Sequence, residues 1–143
     1  MSKRLGSVLT TAAALVLGLG PVASPASAAG SIPIYTHADN GKTEHLAVGT
    51  KFKVRLKGCG DCGDTWSFKQ KPDPHVVKVL GRNVYTEAQP PAVGGYDHTV
   101  WTMRVVGNGT TTMRMVERSA SQNNKVIKRF SLTIQVTPVA RSG

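Results

Sequence analysis

The sequence predicts an all-β chain folded as an immunoglobulin-like antiparallel β-sandwich. Three observations predict it. Apolar residues recur at every second position in several runs, the spacing of a strand with one buried face. Turn signals rich in Gly, Asn and Pro separate those runs. No run carries the 3.6-residue period of an amphipathic helix. Strands with one apolar face need a second sheet to cover them, so two sheets must pack face to face. A small closed barrel is the competing architecture. The 143 residues suit one domain, and 40% hydrophobic content excludes a disordered chain. No heptad or repeat period is present, which removes coiled coils and solenoids.

The first 28 residues read as a signal peptide rather than as structure. Lys3 and Arg4 precede an apolar, Ala/Val/Leu-rich run over 5–20, and Pro21 breaks it. Ala26-Ser27-Ala28 has the A-x-A form of a cleavage site. The run is short for the roughly 20 residues a membrane span needs, and it has no stop-transfer flank. Export to the extracellular space and cleavage near Ala28 follow as expectations. No second apolar stretch is long enough to cross a membrane.

Residues 29–42 are polar, with Pro33, and read as a flexible lead-in to a domain at 43–138; 139–143 read as a tail. A weak strand is expected over 44–48. The clearest strand is 51–57, where Phe52, Val54 and Leu56 alternate with Lys51, Lys53, Arg55 and Lys57. Trp66 and Phe68 resume the alternation over 66–70, and Lys71-Pro72-Asp73-Pro74 breaks it. Strands are expected at 75–80 and 84–88, with Gly81-Arg82-Asn83 as the turn between them. A long loop covers 89–95. Trp101, Met103 and Val105 share a face over 96–106. Gly107-Asn108-Gly109 is a hairpin turn, because Asn-Gly supplies the positive φ that tight turns need. Met113 and Met115 point inward over 110–116, residues 117–124 read as a polar loop, and Phe130, Leu132, Ile134 and Val136 line the last strand. The expected core is Phe52, Val54, Leu56, Trp66, Phe68, Val77, Trp101, Met103, Val105, Met113, Met115, Phe130, Leu132 and Ile134.

Cys59 and Cys62 are the only cysteines. An even count in an exported chain favours a disulfide. Zinc usually needs four ligands, and a redox pair normally opens a helix. Gly58-Cys59-Gly60-Asp61-Cys62-Gly63-Asp64 offers loop chemistry instead, so the structural bridge is preferred and no metal or cofactor is expected. Asp61 and Asp64 read as turn-formers rather than as a catalytic carboxylate pair. His37, His45, His75 and His98 show no ligand spacing. No G-x-S-x-G elbow, H-E-x-x-H pair or phosphate loop is present, which argues against an enzyme.

Lys plus Arg number 18 against 8 Asp plus Glu, a formal charge of +10. Lys51, Lys53, Arg55 and Lys57 form a row spaced by about 7 Å on one strand face. Such a row is usually a solvated sheet face, but it can also meet an acidic envelope polymer or protein. Nucleic acid fits poorly, because the aromatics alternate to the opposite face and do not interleave with the cations.

Three loops lie between the strong strands, at 58–64, 89–96 and 117–124. Their order and spacing resemble the chagasin family of cysteine-peptidase inhibitors, small immunoglobulin-like β proteins whose loops enter the cleft of papain-like peptidases. The resemblance spans about 90 residues, from Leu46-Ala47-Val48-Gly49 to the strand ending at Val136. The family's first loop has the form N-P-T-T-G-x-x-W. Here Gly63 and Trp66 stand at its Gly and Trp, and Cys59, Gly60, Asp61 and Cys62 replace Asn-Pro-Thr-Thr. The second loop, G-x-G-G in the family, is matched by Ala92-Val93-Gly94-Gly95 with Tyr96 following. Gly109-Thr110 matches the turn before the penultimate strand, and Ser119-Ala120-Ser121 replaces the family's Arg-Pro-Trp.

The resemblance implies a secreted, monomeric, non-enzymatic inhibitor whose partner is a papain-like cysteine peptidase. Residues 58–66 would form the central wedge, 90–96 one flank and 119–121 the other. A Cys59–Cys62 bridge would supply the rigidity that Pro gives the family motif. The double glycine would let the backbone approach the partner closely. The alternative is a non-inhibitory envelope-binding or adhesion module using the basic strand face.

Overall fold

The computed structural model describes residues 30–87 and 95–138. The signal-peptide reading, the tail at 139–143, and Val93 and Gly94 lie outside them. Among the described residues there are eight strands: β1 (Ile34–Tyr35), β2 (Thr43–His45), β3 (Lys51–Gly58), β4 (Thr65–Gln70), β5 (Val77–Glu87), β6 (Tyr96–Val105), β7 (Gly109–Ser119) and β8 (Lys125–Val136). They form two four-stranded sheets, β1-β3-β6-β5 and β2-β8-β7-β4. The result is the immunoglobulin-like sandwich that the alternation predicts. Phe52, Val54, Leu56, Trp101, Met103 and Val105 from the first sheet are buried against Trp66, Met113, Met115, Phe130, Leu132 and Ile134 from the second.

The core differs from expectation at its margins. Phe68 is only partly buried, while Tyr35, Val76 and Val136 join the cluster. Phe68 lies on edge strand β4 beside a register shift, and there it packs against Trp101 at 5.5 Å between ring centroids.

Four element readings are corrected. The lead-in is not loose throughout: β1 pairs in parallel with β3, and a 3-10 turn follows at His37–Asp39; just beyond it, β2 pairs in parallel with β8. The second strand occupies 43–45 rather than 44–48, and both edge pairings depart from a purely antiparallel sandwich. The two strands expected on either side of Gly81-Arg82-Asn83 are one strand, β5, with a bulge between Val79 and Gly81. A glycine inside a strand marks a bulge as readily as a turn. Finally, 117–119 are strand rather than loop, because the inward alternation of Met113 and Met115 continues through Glu117 and Ser119.

The lead-in's contribution is energetic as well as topological. Tyr35 packs edge-on against Phe52 at 5.8 Å between ring centroids. Burial, reinforced by the Glu44 and Asp39 carboxylates, pushes its phenol up from 10.0 to about 12. An unfolded phenol ionises near pH 10. The stability that this shift contributes is therefore complete below about pH 10 and lost as pH rises towards about 12. Thermal unfolding midpoints measured across that window should fall steeply in the parent protein. The slope should be shallower in Tyr35→Phe.

Candidate functional site

The β3–β4 and β7–β8 connections and Gly95, at the foot of β6, meet at one end of the sandwich, with the first loop in the middle. Three backbone bonds coil it: Cys62 N–H donates to the Cys59 carbonyl at 3.2 Å, Gly63 N–H to Gly60 at 2.9 Å, and Asp64 N–H to Cys59 at 3.1 Å. Gly63 has φ +74, a region that disfavours side chains. The Cys59–Cys62 disulfide staples the turn, with Cα atoms 5.2 Å apart. Loop 58–64 is thus ordered by its own bonds before any partner is met.

Each flank touches this loop. Asp61 Oδ2 accepts a hydrogen bond from Gly95 N–H at 3.2 Å. Gly60 lies against the Asp97 carboxylate so closely that any Cβ would collide with it. Asp97 in turn accepts from the Thr86 hydroxyl at 2.7 Å, tying β5 to β6. On the other side, a Cβ on Gly63 would sit 3.1 Å from Ala120 Cβ. Ser119, at the end of β7, is buried, and its hydroxyl lies 2.9 Å from that of Ser121. Asn123 and Asn124 take positive φ to close the hairpin. Of the residues expected at the site, 58–64, Trp66, Gly95, Tyr96 and 119–121 are brought to this one end.

Gly95 has a structural duty that the sequence reading did not assign. A Cβ there would meet Thr86 Cγ2 at 2.7 Å and the Glu87 carbonyl at 3.2 Å. Its lack of a side chain therefore serves the β5–β6 pairing.

Trp66 anchors the first loop rather than facing outward. It is 2% exposed, and its indole N–H donates to the Lys57 carbonyl at 3.2 Å. The His37 ring packs 5.4 Å from it, centroid to centroid. His37 Nε2 lies 3.1 Å from Lys57 N and 3.2 Å from Lys57 O, and it accepts from the first or donates to the second according to its tautomer. Opposite Trp66 in the register is Glu117, whose side chain is fully buried. A Cβ on Gly58 would come within 2.5 Å of its Oε1. The Lys128 ammonium, half exposed, caps the carboxylate at 2.8 Å. An open cleft of about 250 Å³ runs beside the loop, lined by His37, Lys57, Gly58, Cys59, Tyr96 and Lys128.

On the β6 side Tyr96 is half exposed, with the Lys57 ammonium 3.7 Å from its ring centre. Neighbouring His98 bonds Glu87 at 2.7 Å and stacks on Tyr85. That hydrogen bond, with His98 charge and the nearby Lys57 and Arg55, holds the Glu87 carboxyl below its ordinary range.

His37, Asp97, Glu117 and Lys128 were not singled out as site residues by the sequence reading. Two of them carried a signal: Glu117 is in phase with Met113 and Met115, and Asp97 is in phase with Thr99 and Trp101. His37 and Lys128 carried none, because their roles depend on how the two sheets meet.

Chemically, the end is a stapled, glycine-rich projection with polar flanks. No group of three or more His, Cys, Asp or Glu among the described residues is placed to hold a metal ion. No helix among them is long and apolar enough to cross a membrane.

Comparison with solved structures finds several chains that align with this one. A cysteine protease inhibitor, EhICP2, from Entamoeba histolytica superposes with a TM-score of 0.64 at 15% identity, covering 73% of this chain and 95% of that one. Amebosin aligns with a TM-score of 0.49 at 21% identity over 76% of this chain and 100% of its own. PbICP-C, solved in complex with falcipain-2, aligns with a TM-score of 0.44 at 15% identity over 75% and 92%. Comparison with curated protein sequences finds no match. The model of the chagasin family of peptidase inhibitors, I42, matches residues 45–134, most of the sandwich and both fully described loops, and the chain therefore belongs to that family of non-enzymatic inhibitors.

Proposed function

We infer that the chain, exported and cleaved near Ala28, reversibly blocks the active-site cleft of papain-like cysteine peptidases without being turned over. The observation that carries this reading is the convergence of the loops, with the Cys59–Cys62 turn held between Gly95 on one side and Ala120 on the other. A cleft of extended shape is filled best by a narrow central projection with a support on either flank. Prior order matters, because each side chain immobilised on binding costs about 0.5–1.5 kcal/mol.

In this reading residues 58–66 form the wedge. Their backbone amides and carbonyls line the cleft while Trp66 holds the root. Tyr96 and the loop before it form one flank, and Ser119, Ala120 and Ser121 the other. The smaller side chains at 119–121, where the family has Arg-Pro-Trp, place more of the binding energy on the first loop and on Tyr96.

Titration of papain with the purified protein is expected to abolish hydrolysis of a peptide substrate and to leave the inhibitor uncleaved. Full activity at several-fold molar excess, against papain and against peptidases from the source of the protein, would overturn the reading. The double substitution Cys59→Ser with Cys62→Ser should weaken inhibition at least tenfold. Ordering two or three freed side chains exceeds the roughly 1.4 kcal/mol that makes one decade. Its thermal midpoint should fall by several degrees with the fold intact, because so small a ring constrains the unfolded chain by only about 2 kcal/mol.

A further inference from the structure

The outer face of the sheet β1-β3-β6-β5 carries a charge pattern that inhibition at the loop end does not use. Lys51, Lys53, Arg55 and Lys57 project from β3. The register sets Arg104 beside Lys51 and Lys78 beside Arg104, carrying the cations across three strands. Five of the six are exposed and Lys53 is half-buried. All eight Asp and Glu side chains lie among the described residues. Their ion pairs are Asp39–Lys42, Glu87–His98 and Glu117–Lys128, so none is bonded to any of these six cations. Glu87 alone shares the face, at its loop-end corner, and it is engaged by His98.

We propose that this face binds a linear phosphodiester polymer of polyols on a cell envelope, holding the protein at that surface while the loop end stays free. Charge complementarity selects a polyanion. The repeat along β3, about 7 Å over three steps, matches a chain with regularly spaced single charges. Four of the six cations are Lys, which meets phosphate as a point charge and needs no planar, bidentate partner. An acidic protein would want large apolar or aromatic anchors at the centre of its footprint, but of Val100, Thr102, Gly81 and Asn83, which occupy that centre, only Val100 is apolar and none is aromatic. A base-bearing polymer would want free aromatic faces, but Tyr85 is stacked on His98 and Tyr96 lies under Lys57.

The test is binding of the purified protein to polyglycerol phosphate, with single-stranded DNA of equal phosphate number and poly-glutamate as comparison probes. Polyglycerol phosphate should bind tightest. About four phosphate contacts would weaken that affinity about 50-fold between roughly 50 and 200 mM salt. The variant Lys51→Gln/Lys53→Gln/Arg104→Gln should lose at least tenfold. Lys69→Gln/Lys71→Gln/Arg129→Gln, an equal charge loss on or beside the other sheet, should lose less than threefold. If the first variant melts early, Lys53→Gln/Lys78→Gln carries the same comparison. Equal loss in both variants would reduce the effect to net charge and overturn the proposal. Tighter binding of DNA or of poly-glutamate would overturn it in favour of nucleic acid or an acidic protein.

Discussion

Trp66→Ala is expected to destabilise the fold by about 3–5 kcal/mol, the range for emptying a buried aromatic site. Three losses combine there. The indole fills the core beneath the first loop, its N–H satisfies the Lys57 carbonyl, and its ring backs His37. Removing it also thins the cover over the Glu117 carboxylate, its register partner on β7. Urea unfolding monitored by the fluorescence of Trp101 should show the midpoint shift. Trp66→Phe keeps most of the volume and loses the donor to the Lys57 carbonyl, so it should cost only about 1–2 kcal/mol for the lost hydrogen bond and a small void. Near-equal costs for the two variants would show that the hydrogen bond, and not the volume, holds the root of the loop.

Lys128→Met should produce a loss of about 3 kcal/mol. Glu117 is completely buried and Lys128 is its ion-pair partner at 2.8 Å. Taking away one member of such a pair leaves a charge without compensation in the interior, which typically costs about 3–5 kcal/mol. The lower end applies because the ammonium is half exposed and water can follow it inward. Replacing both residues, Glu117→Met with Lys128→Met, should recover much of the loss, since apolar packing of similar volume often equals a buried pair. Thermal or urea unfolding of the two single variants and the double variant closes this cycle. A double variant as unstable as Lys128→Met alone would mean that the pair sets the geometry of the β7–β8 hairpin rather than balancing charge.

The sequence was most legible where one physical cause acted alone. Along 51–57 every second residue is apolar, and β3 follows that pattern along its length. The same held for Trp101, Met103 and Val105 on β6, and for Phe130, Leu132 and Ile134 on β8. It was least legible where a long-range pairing decided the outcome. Ile34 and Tyr35 form a strand only because β3 offers a free edge, and two residues carry no period to read. Gly81 looked like a turn because the same backbone freedom permits a bulge, and only the β6 register tells the two apart. Glu117 misled by polarity: a charged residue at an inward position is rare unless paired, and its partner lies eleven residues on. At the loop end the local features, the Cys59–Cys62 turn and the small residues around it, could be read directly. The contacts that bring the loops together, Asp61 with Gly95 and Gly63 with Ala120, could not.

The first and last strands fix how the molecule can be attached to anything else. β1 enters beside Lys53, five residues and about 16 Å short of the loop end. β8 leaves through Val136, beside the Gly109 turn at the opposite end. A linker, reporter or second module joined beyond either strand would therefore hang from the side away from residues 58–64. Held on a bead or a cell wall by either route, the protein would present its loops outward, like a plug on a cord. Attachment chemistry aimed at Lys128 would instead bring the support against the loop end.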